Sequence, residues 1–346
     1  MVYPIISIII PTFNSGDTLQ KTLESVKKQS YPEKKIETLI IDGGSFDNSI
    51  KIAKSYKCKI VENSKTDLIF AKHIGYLIAR GKYLVFLDSD EILENPNSLK
   101  IKYSAFQKNN RVRAVMIGGY KTPKDYSAIN NYSNEFGDPF SYFIYKESKE
   151  QKFLLRDWTD KYKKIYENRY CAIFDFKDVR PLPIVELWAG GCMIDLKYAR
   201  SAFPQIMKNP SLLAHLFYLL NKKNCLLAIT KNDPTIHYSS ENLRKYLKKI
   251  TSRIKNNVYQ TQMGEGGFWG REKFQPLLNR FKKFLFIPYS FSLILPIIDA
   301  TYLAITRQKL IYLLHPILCI YTALLVLYYF SLKVLKIRPK MQTYGI

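Results

Sequence analysis

Five cysteines (Cys58, Cys171, Cys192, Cys225 and Cys319) are scattered through 346 residues with no close pairing. An odd, dispersed set excludes a disulfide framework and the paired-thiol pattern of a structural zinc site, and it points to a reducing compartment. Acid is scarce as well: 29 Asp+Glu stand against 53 Lys+Arg, a formal charge of +24. That balance favours anionic partners, whether phosphorylated small molecules, nucleic acid or an acidic membrane face, and does not choose among them. The usual nucleic-acid recognition modules are missing, so no nucleic-acid partner is expected. The start, Met1-Val2-Tyr3-Pro4, has neither the charged head nor the small-residue cleavage site of a signal peptide, so the N-terminal domain is expected to stay cytoplasmic.

What is abundant is apolar sequence, 47% of residues, enough for one large or two ordinary domains. The β-branched runs at residues 5–10 and 38–41 are stopped by Pro11 and by Asp42-Gly43-Gly44, and both read as buried parallel strands. Between them Leu19, Leu23 and Val26 recur at helical spacing behind Ser15 or Asp17 as a cap. The alternation continues with a helix at 47–56, a strand at 59–62, a helix at 68–79 and a strand at 82–87. An open, doubly wound, mostly parallel α/β sheet follows, with ligands outside the carboxyl ends of its strands. Further on, the pattern predicts a helix near 96–109, a strand at 112–117, strands at 184–195 and 225–229, and a helix at 212–221. The Tyr/Lys/Asn-rich stretch 119–150 carries no readable period.

Residues 241–256 place Leu243, Leu247, Ile250 and Ile254 on one face of a basic helix, suited either to a membrane surface or to packing on the domain. Two apolar stretches follow, 284–304 and 310–332, each near the roughly 20 residues that cross a bilayer. The first contains Pro288, Pro296 and Asp299, which suit a re-entrant or interfacial segment as well as a span. Cations are denser outside the pair (Arg280, Lys282, Lys283; Lys333, Lys336, Arg338, Lys340) than in the loop with Arg307 and Lys309, so a hairpin with both ends in the cytoplasm is expected. The expected layout is an α/β domain at 1–240, with a ligand-binding half to about 118 and a second half after it. A basic juxtamembrane region (241–283), a transmembrane or re-entrant helical hairpin (284–335) and a basic tail (336–346) complete it.

The chemistry concentrates at strand ends. Asp88-Ser89-Asp90 directly follows Tyr83 to Leu87, so two carboxylates emerge where a ligand or metal must neutralise them; hard oxygens suit Mg²⁺ or Mn²⁺ bridging a diphosphate. A bare Asp-x-Asp is usually a turn or cap, and its place after a buried strand is what raises it above that. Asp42 with Gly43, Gly44, Ser45 and Asp47 ends a second strand, and Pro11 to Asn14 end a third. Ordinary turn chemistry explains each tip singly but poorly explains three side by side.

The ordered set ISIIIPTFN, SVKKQSYP, TLIIDGGSFDNS and AKHIGYLIARGKYLVFLDSDEI resembles the inverting family 2 glycosyltransferases of GT-A fold over residues 5–95, with a fainter likeness at 185–240 through Gly190-Gly191-Cys192 and His237. The two C-terminal apolar segments resemble membrane-attached members. The resemblance implies that Pro11, Thr12, Asn14 and Asp42 face the nucleoside and that Lys72 approaches the nucleotide. It implies that Asp90 ligates the metal directly, that Asp88 and Ser89 hold ribose or phosphate with Asp88 contributing to the metal site, and that His237 completes that site; a strand histidine packed on its neighbours is the other reading of His237.

Inverting transfer needs a carboxylate to take the acceptor hydroxyl's proton. The family often supplies it from an acidic pair after the Gly-rich segment, and here that position holds Leu212 and Leu213. Glu186 and, after it, Asp195 are the substitutes the sequence offers, with Asp175 and Asp178 behind them, though a surface or salt-bridged carboxylate is the simpler reading of each. Tyr142, Tyr145 and Trp158 suit either an acceptor cleft or a core. The expected activity is metal-dependent transfer from a UDP-linked sugar to a lipid-linked or glycan acceptor at the cytoplasmic membrane; the competing reading is a non-catalytic nucleotide-sugar-binding or scaffold protein.

Overall fold

The computed structural model describes residues 3–341. Twelve strands run in chain order: β1 (Ile6–Thr12), β2 (Ile36–Asp42), β3 (Lys59–Glu62), β4 (Tyr83–Phe86), β5 (Glu91–Leu93), β6 (Val112–Met116), β7 (Tyr120–Lys121), β8 (Lys163–Glu167), β9 (Cys171–Asp175), β10 (Cys192–Asp195), β11 (Leu226–Thr230) and β12 (Thr235–His237). Nine of them form one sheet ordered β3-β2-β1-β4-β10-β6-β11-β9-β8, and β5-β12-β7 form a small second one. From β3 to β4 all pairings are parallel, whereas β10 enters antiparallel between β4 and β6. Helices on both faces explain the unbroken apolar runs: Ile9, Leu39, Ile41 and Phe86 join one core, Ile8, Ile10, Ile40 and Val85 the other.

The expected elements of the first 116 residues are all present within a few residues of their expected ends. Later the expectations need correction. Of the strand expected at 184–195 only Cys192–Asp195 forms, because Gly190 and Gly191 both take positive φ (74° and 80°) and turn the chain out of the extended state. The helix expected at 212–221 is a 3₁₀ turn, Pro210–His215, followed by a helix at Leu216–Lys222. The unreadable stretch 119–150 holds β7 and two helices, Ile129–Phe136 and Pro139–Tyr145.

Those two helices seat the C-terminal part. The helix Leu243–Val258 buries Tyr246, Ile250 and Ile254 against Ile129, Tyr132 and Phe136 on one side and Leu303, Tyr312 and Leu318 on the other. Its apolar face is therefore a packing face, and Arg244, Lys245, Lys248 and Arg253 remain exposed. The stretch 284–304 is not one straight helix: the segments Leu277–Phe291 and Ile294–Arg307 meet at 90°, with Leu293 at φ 58° in the break. Leu310–Val334 is the one continuous helix among the described residues long and apolar enough to cross a bilayer.

Candidate active site at the strand ends

The register of the sheet brings the three polar tips together. Thr12 lies opposite Asp42 and Ile9 opposite Phe86, so the chain beyond β4 leaves the sheet beside the end of β1. Asp42 is stapled into its own turn: Oδ2 accepts from the backbone N–H groups of Gly44 (2.9 Å) and Ser45 (3.0 Å), and Oδ1 from the Ser45 hydroxyl (2.6 Å). Two carboxylate oxygens offer about four acceptor positions, so roughly one is left for a ligand. Asn14, at φ 48°, clamps the same loop from the other side, its N–H donating to Ser45 Oγ (2.9 Å) and its Oδ1 accepting from Phe46 N (3.0 Å). Two of the residues that the resemblance turns toward the nucleoside make internal hydrogen bonds here. Asn14 spends its amide oxygen on the loop, and Thr12 is fully buried with its hydroxyl donating to Ile10 O (3.2 Å). Pro11 is buried at the same tip.

The Asp88-Ser89-Asp90 segment is held from three directions. Lys72, from the helix Leu68–Ile78 and itself 2% exposed, reaches both oxygens of Asp88, at 2.7 and 3.0 Å, with its ammonium 5.2 Å from the Trp188 ring centre. Ser89 Oγ donates to Ser15 Oγ (2.8 Å) and its carbonyl accepts from Thr22 (3.0 Å), which fastens the tip to the helix after β1. Asp90 Oδ2 lies 3.6 Å from His237 Nε2 at the end of β12.

That last separation is too long for a hydrogen bond. It is close to what two ligands of one small divalent ion adopt, roughly 3 Å with bonds near 2.1 Å. His237 Nδ1 is buried without a partner, and the imidazole stacks at 4.9 Å on Tyr120. Burial pushes the Asp90 carboxyl up, but His237 and then Lys249 outweigh it and hold it at about 2, so it is ionised at neutral pH. The donor set fits Mn²⁺ or Mg²⁺ with Asp90 and His237 as ligands; Asp88 is committed to Lys72. Among the described residues no ready-made group of three protein ligands exists, so a metal here takes its remaining ligands from water or a diphosphate.

Two residues of this site carried no role in the sequence reading. Glu91, next to the triplet and 1% exposed, accepts from Gly190 N with both oxygens (2.9 and 2.8 Å), from Asp88 N (2.8 Å) and from the Tyr120 hydroxyl (3.1 Å). It ties the acidic tip to the Gly190 turn; burial, then the neighbouring Asp88, raise its carboxyl above the usual range. Its signal was adjacency to the Asp-x-Asp. Lys249 donates to the carbonyl of Ser239 and to its hydroxyl (3.2 Å), and burial lowers its ammonium from the ordinary lysine value. Only the folded arrangement singles it out among the basic residues of its helix.

The candidate bases fare worse. Asp195 pairs with Tyr83 at the start of β4, at the opposite edge of the sheet from Asp88, where it caps the next helix through Tyr198 N (3.0 Å) and binds Arg113 (2.8 Å). It cannot reach the site. Glu186 sits between Lys149 (2.5 Å) and Arg271 (2.8 Å); burial alone would raise its carboxyl, yet the two cations hold it far below the usual carboxylate range, which makes it a poor proton acceptor. Asp175 pairs with Arg111 (3.3 Å) at the end of β9. Trp158 is a core residue beside Phe174 and Phe176, and Tyr142 packs with Phe136, so for both the core reading holds.

Comparison with known proteins places the chain in a family. The chain is 30% identical to the glycosyltransferase GlyG of Streptococcus pneumoniae over 122 residues, 34% of this chain and 39% of that protein. It is 31% identical to the poly(ribitol-phosphate) beta-N-acetylglucosaminyltransferase TarP of Staphylococcus aureus over 121 residues, 33% of this chain and 36% of that one. The matches thus span well under half the length of these relatives. The mannosyltransferase PcManGT from Pyrobaculum calidifontis, solved with GDP-Man and Mn²⁺, shares the fold with a TM-score of 0.52 at 13% identity, covering 95% of this chain and 88% of that one. The family model described as Glycosyl transferase family 2 matches residues 7–179, half of the chain, and on that match the protein belongs to glycosyl transferase family 2.

Proposed function

We propose that the chain transfers a sugar from a UDP-linked donor to an acceptor hydroxyl at the cytoplasmic face of the membrane, on a lipid-linked or other glycan precursor, by metal-dependent inverting displacement. The observation that carries this reading is the meeting of Asp88 and Asp90, beyond the carboxyl end of β4, with Lys72 from the helix Leu68–Ile78 and His237 from the end of β12. In it Asp42 and the loop it holds receive the nucleoside, while Asp88, with Ser89 beside it, faces ribose and diphosphate. Lys72 holds Asp88 in place through contacts to both its oxygens, and Asp90 with His237 would hold the metal, which when bound neutralises charge building on the departing diphosphate. Glu91 fixes the tip against the Gly190 turn, so these groups are placed before the donor arrives.

A second reading keeps donor binding and drops turnover. It is favoured by Leu212 and Leu213 at the expected acidic positions and by the double ion pair that disarms Glu186. Incubating the purified full chain with radiolabelled UDP-sugars and Mn²⁺ separates the two. Sugar release or transfer that disappears in Asp90→Ala supports the enzyme, and nucleotide sugar that stays intact across the panel, despite measurable UDP binding, leaves the binding protein.

A further inference from the structure

Of the large apolar side chains exposed on the described residues, eight lie before residue 277 and 23 lie from Leu277 to Ile337. Leu278, Phe284, Ile294, Ile298, Ile305 and Leu310 are each more than half exposed. A patch of that extent marks an interaction surface. Its borders are cationic: Lys333, Lys336, Arg338 and Lys340 are exposed at one end, Arg244, Lys245 and Lys248 on the neighbouring helix. An apolar face bordered by cations matches an anionic lipid leaflet.

Length alone allows crossing, since the 25 residues Leu310–Val334 make a helix of roughly 37 Å. The contacts decide otherwise. A spanning hairpin carries the turn at 307–309 to the far side of the bilayer, roughly 30 Å away. Here Arg307 pairs with Glu135 (2.9 Å), both nearly inaccessible, and Lys309 reaches Asn131 (2.7 Å). Asn130 and Asn134 on that same helix donate to the carbonyl of His237 (2.9 and 3.1 Å), so the turn sits one helix away from the candidate metal site. The middle of the first apolar stretch is tied down through Asp299 and Lys146 (3.0 Å), beyond the 90° bend. The long helix is fastened along its length to the basic helix, by Tyr321 to Thr251 (2.9 Å), Lys333 to Val258 O (2.6 Å) and Tyr259 to Ile337 O (2.6 Å).

We propose that residues 277–337 lie in the plane of one leaflet of an anionic bilayer without crossing it, so that the turn at 307–309 stays on the same side as Asp90. This rests on the membrane-face placement in the preceding reading, and sharpens it. The bent segment and the outer face of Leu310–Val334 enter the acyl boundary, while the inner faces remain packed on the helices Ile129–Phe136 and Leu243–Val258.

The test uses inverted membrane vesicles holding the full chain with Cys58→Ser, since the other four cysteines are buried. Gln308→Cys, at an exposed position of the turn, is compared with Lys54→Cys on the N-terminal domain, using a membrane-impermeant maleimide. The expected result is equal labelling of both with and without detergent. Labelling of Gln308→Cys only after detergent, with Lys54→Cys reactive throughout, overturns the proposal in favour of a span. Purified Ile294→Glu/Ile298→Glu protein should float with phosphatidylglycerol-containing vesicles at least about tenfold less than the parent; unchanged flotation also overturns it. UDP binding is measured on the same samples, so a failure of the nucleotide reading shows as lost UDP binding with the labelling pattern intact.

Discussion

The N-terminal α/β region, residues 6–116, and the C-terminal body, residues 243–337 with its seat at 129–146, are built on opposite principles. In the first, each element is fixed locally: a β-branched run, a Pro or Gly stop, a capped helix, and polar residues wherever a parallel strand ends. In the second, elements are fixed by distant polar partners, such as Glu135 with Arg307 and Tyr312, or Lys146 with Asp299. If the division is sound, changes in the first half alter chemistry with little loss of fold, and changes in the second alter fold with little loss of chemistry.

The largest effect is expected at Asp90. Asp90→Ala should lower sugar transfer or donor hydrolysis by about a thousandfold, as should chelation of the divalent ion, because metal stabilisation of a leaving diphosphate contributes several kcal/mol. The melting temperature of the variant should stay near that of the parent, since Asp90 is a partly exposed tip residue. A collapse of the fold with activity would erase the distinction between the halves. Glu135→Ala makes the converse change, leaving Arg307 buried without its partner at a cost of roughly 3–5 kcal/mol. Chemical denaturation should show that loss, whereas UDP·Mn²⁺ affinity measured below the transition should hold within about threefold. Lys72→Met falls between them: with Asp88 no longer held, the KM for donor should rise by about ten- to a hundredfold, and Lys72→Arg should restore part of it.

The same division explains what the sequence made legible. Asp42, Asp88, Ser89 and Asp90 stood out because strand ends in parallel sheets are where ligands bind, a rule that operates within a few residues of chain. Asn14 matches a motif, but its amide oxygen and N–H bind Phe46 and Ser45, more than 30 residues away, which the motif does not reveal. Glu186 and, after it, Asp195 are both lone carboxylates near a Gly-rich turn. Strand direction separates them: β10 runs antiparallel to β4, which carries Asp195 to the wrong edge, while Lys149 and Arg271, both remote in sequence, disarm Glu186. The apolar stretches are legible as composition, and Pro288 and Pro296 as a reason for a break, but the position of the bend at Leu293 and the anchoring of Arg307 are tertiary.

Glu186 also gives a pH test. Its carboxyl is held below its unfolded value, so its ion pairs stabilise the fold fully above the ordinary glutamate range near 4.3 and are lost as pH falls through the lower folded value. The parent should therefore lose more stability than Glu186→Gln between about pH 5 and pH 3. A parallel decline of the two would show that Lys149 and Arg271 find other partners. Activity at neutral pH should fall only a few-fold in the variant, since a carboxylate flanked by two cations is not the proton acceptor.

The smallest expected effect is the one that joins the halves. Lys249 belongs to the helix of the C-terminal body, yet its ammonium is buried beside Ser239, and its charge helps to keep Asp90 ionised. A cation there repels a metal ion and attracts a diphosphate, so Lys249→Met should move two affinities in opposite directions. Mn²⁺ alone should bind about threefold tighter, and UDP in the presence of saturating Mn²⁺ about threefold to tenfold weaker, each on the order of 1 kcal/mol. Calorimetry for UDP and paramagnetic resonance of free Mn²⁺ read the two separately. A purely structural lysine would weaken both together through disorder of the Ser239 loop; opposite signs mean that the C-terminal body contributes charge directly to the candidate site.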